Sequence, residues 1–300
     1  MEKRTFMTKS DAIPATMSDS VAAEATAAST KLSLAGNDGP AKPGEQSTQT
    51  VPATPETGRG HWAHSAGENK GLNEPPPSPS APIDHTVTGV TPGIDVSEFQ
   101  NTINWPQVQQ AGVKFAFIRA TDGTTIQDTN FVQNWQGAEK AGIPVGAYHY
   151  FTTTSAVQTQ INNFLSELKL VDKGQLPPVL DVEDPTQFSK FTPAQSVAMV
   201  QQWLDGVQQQ TGVQPMLYMS SSFSGSVLGS APQLAKYKLW VADYTTAQQP
   251  IVPQPWTSWN FWQHADNGQV AGITGNVDMD YFNGPAEALP VTTPSQATDK

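Results

Sequence analysis

The stretch PVLDVEDPTQFSKFTPAQSVAMVQQWLDGVQQQTGVQPMLYMS, residues 178–220, reads as strand, helix, strand. Its first six residues are apolar apart from two acids, the composition of a strand covered on both faces. Thr192 and Gln195 have capping-box spacing, and Pro193 falls at the first helical position, where a missing N–H is harmless. Behind that start Val197, Val200, Leu204 and Val207 recur at helical spacing, and Gly212 stops the helix before the next apolar run at 215–220. Two strands joined by a helix of this length pair in parallel with the helix laid across them.

The same alternation extends to both sides. Apolar runs rich in β-branched or aromatic residues occupy 93–98, 114–120, 144–151, 178–183, 215–220, 238–244, 259–264 and 276–282, which makes eight strands. Helical segments follow the first five. Ser155 with Gln158 suggests a second capping box, Ile161, Phe164, Leu165 and Leu168 form one apolar stripe, and Gly112 and Gly142 stop two further helices. The last three strands have connections too short or too rich in Pro and Gly for full helices. The expected fold is therefore of the α/β class, an irregular TIM-like β/α barrel of eight strands with about five helices, spanning residues 91–286 and followed by a tail at 287–300. An open doubly wound sheet would carry a Gly-rich phosphate turn after its first strand, and none follows 93–98.

Residues 1–90 have a different composition. Pro75, Pro76, Pro77, Pro79 and Pro82 stand among Ser, Ala, Glu and Gly, too little apolar surface to offset chain entropy, so a disordered arm and linker are expected. His61, Trp62 and His64 form its one aromatic and imidazole spot and read as incidental. No signal peptide is legible, because Glu24 interrupts the Ala-rich stretch, and no window is apolar enough to insert in a membrane. The arm carries −3 and the remainder −8 of the net −11, which argues against nucleic acid or an anionic membrane as partner. Zero cysteines exclude disulfides, thiolate metal sites and thiol catalysis.

Chemistry in a barrel sits at the carboxyl ends of the strands. Asp181 and Glu183 are two apart on one strand and share a face, while Leu180 and Val182 point away. Neighbouring carboxylates disfavour double ionisation, which is how one of a pair comes to donate a proton at neutral pH, and Glu183, nearer the mouth, is the candidate acid. Asp95 and Asp278 lie on the first and eighth strands, which barrel closure makes neighbours, so all four acids are expected around one pocket. Tyr148, Tyr150, Tyr218, Trp240, Tyr244, Trp262 and Tyr281 fall in or beside strands, with Asp243 and Gln263. About half of these rings should be core. The rest of the mixture suits a carbohydrate, since rings stack on sugar C–H faces and amide or carboxyl groups bind hydroxyls. A divalent metal on Asp181, Glu183, Asp278 and His149 is a weaker reading, without ligand spacing to support it, and His149 reads as a hydrogen-bonded barrel histidine. No cofactor is called for.

The ordered segments Gly93-Ile94-Asp95-Val96-Ser97, Phe117-Ile118-Arg119-Ala120-Thr121-Asp122-Gly123, Gly146-Ala147-Tyr148-His149-Tyr150-Phe151, Leu180-Asp181-Val182-Glu183, Leu217-Tyr218, Leu239-Trp240-Val241-Ala242-Asp243-Tyr244, Phe261-Trp262-Gln263 and Val277-Asp278 resemble the glycoside hydrolase family 25 lysozymes. The resemblance runs from Gly93 to about Gly284 and leaves the arm unmatched. It implies an N-acetylmuramidase that cuts the β-1,4 bond between N-acetylmuramic acid and N-acetylglucosamine, with Glu183 as general acid, Asp181 its partner, and Asp95 and Asp278 completing the catalytic set. The resemblance assigns Asp280 no firm role. The substrate-binding residues expected with it are Tyr148, Tyr218, Trp240, Asp243, Tyr244, Trp262 and Gln263. The implied partner is the peptidoglycan glycan strand, bound by a monomer acting outside the cytoplasm or at the wall, by an export route the sequence does not reveal. Retention is the implied course, with participation of the substrate acetamido group favoured over a carboxylate nucleophile that would form a covalent intermediate. A chitinase-type hydrolase would need a longer Asp-x-x-Asp-x-Asp-x-Glu run, and Pro177-Pro178-Val179-Leu180 stands where its first acids belong. A non-catalytic glycan-binding barrel would keep the aromatics and lose the acid.

Overall fold

A computed structural model describes residues 87–171 and 174–291. The expected arm through residue 86, with His61, Trp62 and His64, and residues 292–300 of the tail lie outside the described residues. The strands are β1 (Thr91–Val96), β2 (Ala116–Asp122), β3 (Ile126–Gln127), β4 (Val145–Tyr150), β5 (Val179–Asp181), β6 (Met216–Ser220), β7 (Lys238–Ala242), β8 (Phe261–Gly268) and β9 (Val277–Phe282). The helices are α1 (Trp105–Gln110), α2 (Phe131–Lys140), α3 (Val157–Leu168), α4 (Pro185–Phe188), α5 (Pro193–Thr211) and the single turn α6 (Ser221–Phe223).

Eight strands close the barrel in the order β1-β9-β8-β7-β6-β5-β4-β2, sealed by parallel pairing of β1 with β2; β3 is a two-residue hairpin partner of β2. The eight expected strands are all present. β9 departs from a regular β/α barrel by running antiparallel to both β8 and β1. Only residues 269–276 separate β8 from β9, too few for a crossover that would restore parallel direction. The sixth helix follows from β5, whose connection carries both α4 and α5, while the connection after β6 holds α6, a π turn at Ser224–Leu228 and a 3-10 turn at Pro232–Lys236.

Local signals account for the helix ends. Thr192 accepts from Gln195 N while Gln195 reaches back to the Thr192 backbone, the expected capping box, with Pro193 in the first turn and Gly212 left-handed at the end. The box expected at Ser155 is not made: the α3 N-cap is Ala156, without a side-chain cap, and the Ser155 hydroxyl lies near Thr124 Oγ1 instead.

Strand alternation divides the core into two layers. Ile94, Ile118, Leu180, Leu217 and Leu239 face outward against Val108, Phe131, Ile161, Phe164, Val200 and Trp203 of the helices. Phe115, Phe117, Val179, Met216, Trp240, Phe261 and Phe282 fill the lumen. Phe117 stacks on Trp240 at 4.6 Å between centroids and meets Phe261 edge-on at 5.1 Å. Packed order continues beyond residue 286, for Leu289 is buried in the lumen cluster. Gly146 on β4 is what makes room for the plug: a Cβ there would come within 2.7 Å of the Phe117 ring and 2.9 Å of Leu176 Cβ. Two substitutions test the plug from opposite sides. F117A should destabilise the fold by about 3–5 kcal/mol through cavity formation, and G146V by about 1–3 kcal/mol through overpacking. Thermal or denaturant melts of both variants read this directly, and a G146V protein as stable as the parent would contradict the packing.

Candidate active site

The reversed β9 arranges the acids. In its register with β1, Asp278 stands opposite Asp95 and Asp280 opposite Gly93. Val277, Met279 and Tyr281 belong to the outer layer, so Asp278, Asp280 and Phe282 turn toward the lumen. Because β9 runs against its neighbours, its first residues lie where the other strands end, which brings Asp278 to the mouth. On β5, Val179 and Asp181 face inward while Leu180 and Val182 face outward, and continuing that alternation turns Glu183 toward the opening. Depth falls in steps: Asp280 is 0% exposed, Asp95 and Asp181 are nearly buried, and Glu183 and Asp278 are half-buried.

The tyrosines of the lumen wall register how close these acids are. The Tyr148 hydroxyl is pushed well above its ordinary range by burial, then by Asp95, with Arg119 opposing and Asp181 and Asp278 adding to the rise. Tyr218 is raised by burial, then by Tyr244, Glu183, Asp181 and Asp95. Tyr244 is raised by burial, then by Asp278, Asp266, Glu183 and Asp95. Register and alternation turn Asp95, Asp181, Glu183 and Asp278 toward one end of the lumen, and the rise of three phenols on three strands or strand ends agrees with that arrangement.

Hydrogen bonds fix the wall. Gln263 accepts from the Tyr218 hydroxyl at 2.7 Å and the Tyr244 hydroxyl at 2.6 Å through Oε1, and its Nε2 donates to Asp95 Oδ2 at 2.7 Å. Two donors on the amide oxygen leave the NH2 end for the carboxylate, so the amide has one orientation. Trp240 Nε1 donates to Asp280 Oδ1 at 2.8 Å. Arg119, which acts on Tyr148, is held by Asp128 and Glu98, each at 3.0 Å, over the Phe99 ring.

The expected sugar-contacting residues separate into three groups. Tyr148 and Tyr244 are half-buried at the mouth. Tyr218, Trp240 and Gln263 face the lumen but lie beneath it, 3%, 2% and 1% exposed, and act through the hydrogen bonds just given. Trp262 and Asp243 do not reach the opening. Phe261 and Gln263 point inward, so Trp262 between them must point out, where it packs against Trp259, His264 and Tyr281 and donates to Asp243 O at 2.7 Å. The Asp243 carboxylate accepts from Ile251 N at 2.7 Å and clips the loop between β7 and β8. Tyr150, absent from the expected substrate-binding set, belongs at the mouth: it is paired with Asp181, and its hydroxyl is raised by burial, then by Glu183 and Asp181. Its spacing of two from Tyr148 already signalled a shared face.

His149 is on the opposite side of β4, so it does not join Asp181, Glu183 and Asp278 in a ligand set. Gln160 Oε1 accepts from Thr152 N while Gln160 Nε2 donates to Thr152 O, which fixes the amide. The same Oε1 lies 3.1 Å from His149 Nε2, which must therefore donate, leaving Nδ1 to accept from Thr121 at 2.7 Å. The ring stacks on Trp203 and is 0% exposed.

An acid-lined barrel mouth with phenols at its rim has the composition that suits a carbohydrate. The family model of glycosyl hydrolases family 25 matches residues 94–273. The protein YegX of Escherichia coli O157:H7 is 39% identical over 66% of this chain and 71% of its own length. Lysozyme M1 of Streptomyces globisporus is 35% identical over 66% of this chain and 69% of its own. The crystal structure of the bacterial lysozyme from Streptomyces coelicolor superposes with a TM-score of 0.62 at 33% identity, covering 68% of this chain and 96% of that one. The chain belongs to glycosyl hydrolases family 25 and is a glycoside hydrolase of the lysozyme and muramidase class.

Burial of His149 has a measurable consequence. Its pKa is lowered to about 4 by burial, against a smaller opposing effect of the Gln160 hydrogen bond. An unfolded imidazole takes up its proton near pH 6.5, so between there and pH 4 the unfolded chain binds more protons and stability falls as pH falls. The full loss is roughly 3 kcal/mol, complete below the folded pKa. Wild type should therefore lose stability relative to the non-titrating variant H149Q by up to about 1.4 kcal/mol per pH unit across that window. A stability gap that stays constant from pH 7 to 4 would show that the folded imidazole protonates freely.

Proposed function

We propose that this chain is an N-acetylmuramidase that hydrolyses the β-1,4 bond between N-acetylmuramic acid and N-acetylglucosamine in peptidoglycan, acting as a monomer on glycan strands outside the cytoplasm. The observation that carries this is the position of Glu183: half-buried at the rim, one strand step beyond the buried Asp181, and across the mouth from the Asp95–Asp278 pair. The carboxylate of Asp184, the next residue, is turned to the start of α4, where it accepts from Thr186 N at 2.9 Å.

In this reading Glu183 donates its proton to the glycosidic oxygen as positive charge develops at the muramic anomeric carbon. The substrate's 2-acetamido oxygen attacks that carbon, with Asp181 or Asp278 orienting its N–H, and water then opens the intermediate with Glu183 as base, for net retention. Tyr148, Tyr150 and Tyr244 offer ring faces to the sugar at the mouth, the Tyr244 hydroxyl being held by Gln263 and the Tyr150 hydroxyl sealed from solvent. The negative charge at the opening stabilises the developing cation, and low local dielectric strengthens that effect.

Purified cell walls, with mass analysis of the new reducing ends, supply the test. Wild type should clear walls and leave muramic acid at the reducing end; N-acetylglucosamine there would point to a different bond. E183Q should lower turnover by at least about 100-fold while sparing wall binding, since an amide has no comparable proton to give. Equal clearing by E183Q would remove Glu183 from its role. NMR of the first product should show the β-anomer, and initial α-anomer would exclude retention.

A further inference from the structure

Asp280 is wholly buried beneath the acid-lined opening, and the scheme above does not use it. Its surroundings suit an acid better than an anion. Oδ1 accepts the Trp240 indole N–H at 2.8 Å, whereas Oδ2 is sealed from solvent with no donor in reach. The Asp95 side chain stands within hydrogen-bonding reach of Asp280, and Asp278 lies two residues away on the same face of β9. The nearby donors are committed elsewhere. Arg119 is held by Glu98 and Asp128, and Gln263, directly across β8 from Asp280, gives its N–H to Asp95 and receives the Tyr218 and Tyr244 hydroxyls.

An ionised Asp280 would be a buried anion facing a second anion, an arrangement that burial and like charge both oppose. One proton placed between the two side chains turns the same contact into a donor–acceptor pair. We propose that Asp280 is a carboxylic acid at neutral pH whose O–H donates to Asp95, making it a positioning residue that fixes the orientation and charge of the Asp95 carboxylate. Asp95 is then gripped from two sides, by the Gln263 amide on β8 and the Asp280 hydroxyl on β9, while Trp240 on β7 orients Asp280 itself. Burial, then Asp95 and Asp278, raise the Asp280 carboxyl well above the ordinary range, with the Trp240 bond opposing. The acids acting on Asp280 are Asp95 on β1 and Asp278 on β9, both of which oppose a further negative charge; the Trp240 N–H acts the other way on Asp280, and Arg119, which acts on the neighbouring Tyr148, is neutralised by Glu98 and Asp128.

The proton is a property of the folded chain alone; its effect on turnover rests on the muramidase reading. Two readouts keep these apart. In the infrared difference between wild type and D280N at pH 7, a buried carboxylic acid carbonyl band should belong to wild type, and a carboxylate band in its place would overturn the proposal. Wall-clearing kinetics compare D280N, whose amide can accept from Trp240 and donate to Asp95, with D280L, which has similar bulk and no donor. D280N should keep kcat within about threefold of wild type, and D280L should lose about tenfold or more in kcat with a smaller change in KM, the scale of one hydrogen bond to a charged group. Melting curves identify any loss due to unfolding, and D280N carries the test if D280L does not fold. If folded D280N is as impaired as D280L, or D280L is as active as wild type, the positioning role is overturned. If wild type shows the acid band but clears no walls, the muramidase reading fails while the proton assignment stands.

Discussion

The antiparallel pairing of β9 with β1 is the contact on which the site depends. It closes the cylinder, and its register sets Asp95 against Asp278 across the seam. It also stacks three inward residues of one strand from base to mouth: Phe282 in the lumen plug, Asp280 buried above it, and Asp278 at the rim. A parallel β9 would reverse that order and send Asp278 to the closed end. The short link from β8 thus has a chemical consequence, because it enforces the strand direction that delivers an acid to the opening.

Gathering carboxyl groups in a partly dry opening opposes folding, and the cost is met away from the opening. The aromatic plug below and the helix-facing layer outside supply apolar burial without depending on the acids. Trp240 joins the two regions, stacking on Phe117 below while its N–H holds Asp280 above. Gln263 does the same laterally, tying two phenols to Asp95. These bonds orient the acids before any sugar arrives, the condition under which fixed charge is most effective on a developing cation.

Much of this was legible in the chain. Strands covered on both faces read as apolar runs, and the spacing of Asp181 and Glu183 puts both on one face of their strand. The meeting of these acids with Asp95 and Asp278 followed from closure alone. What escaped was of three kinds. The direction of β9 was hidden because eight runs of similar composition do not state their polarity, although Gly272 and Gly275 in the link are hairpin-like signals. The facing of Trp262 was available from its position between Phe261 and Gln263 but was outweighed by its being a tryptophan. Depth was not available: Tyr218 and Trp240 share a face with the mouth, and only packing shows that they are sealed below it. Ser155 has the right spacing for a capping box, yet α3 begins one residue later than that box requires. The state of Asp280 depends on burial and on its partner across the seam, neither of which is local to its sequence.

The most direct measurement is a crystal structure of E183Q soaked with an alternating N-acetylglucosamine–N-acetylmuramic acid oligosaccharide. The account predicts a sugar spanning the barrel mouth with its scissile oxygen about 3 Å from the residue 183 side chain, its acetamido group toward Asp181 or Asp278, and ring contacts from Tyr148, Tyr150 or Tyr244. An oligosaccharide bound elsewhere on the barrel, or seated in the mouth with the side chain of residue 183 turned away from every glycosidic oxygen, would contradict it.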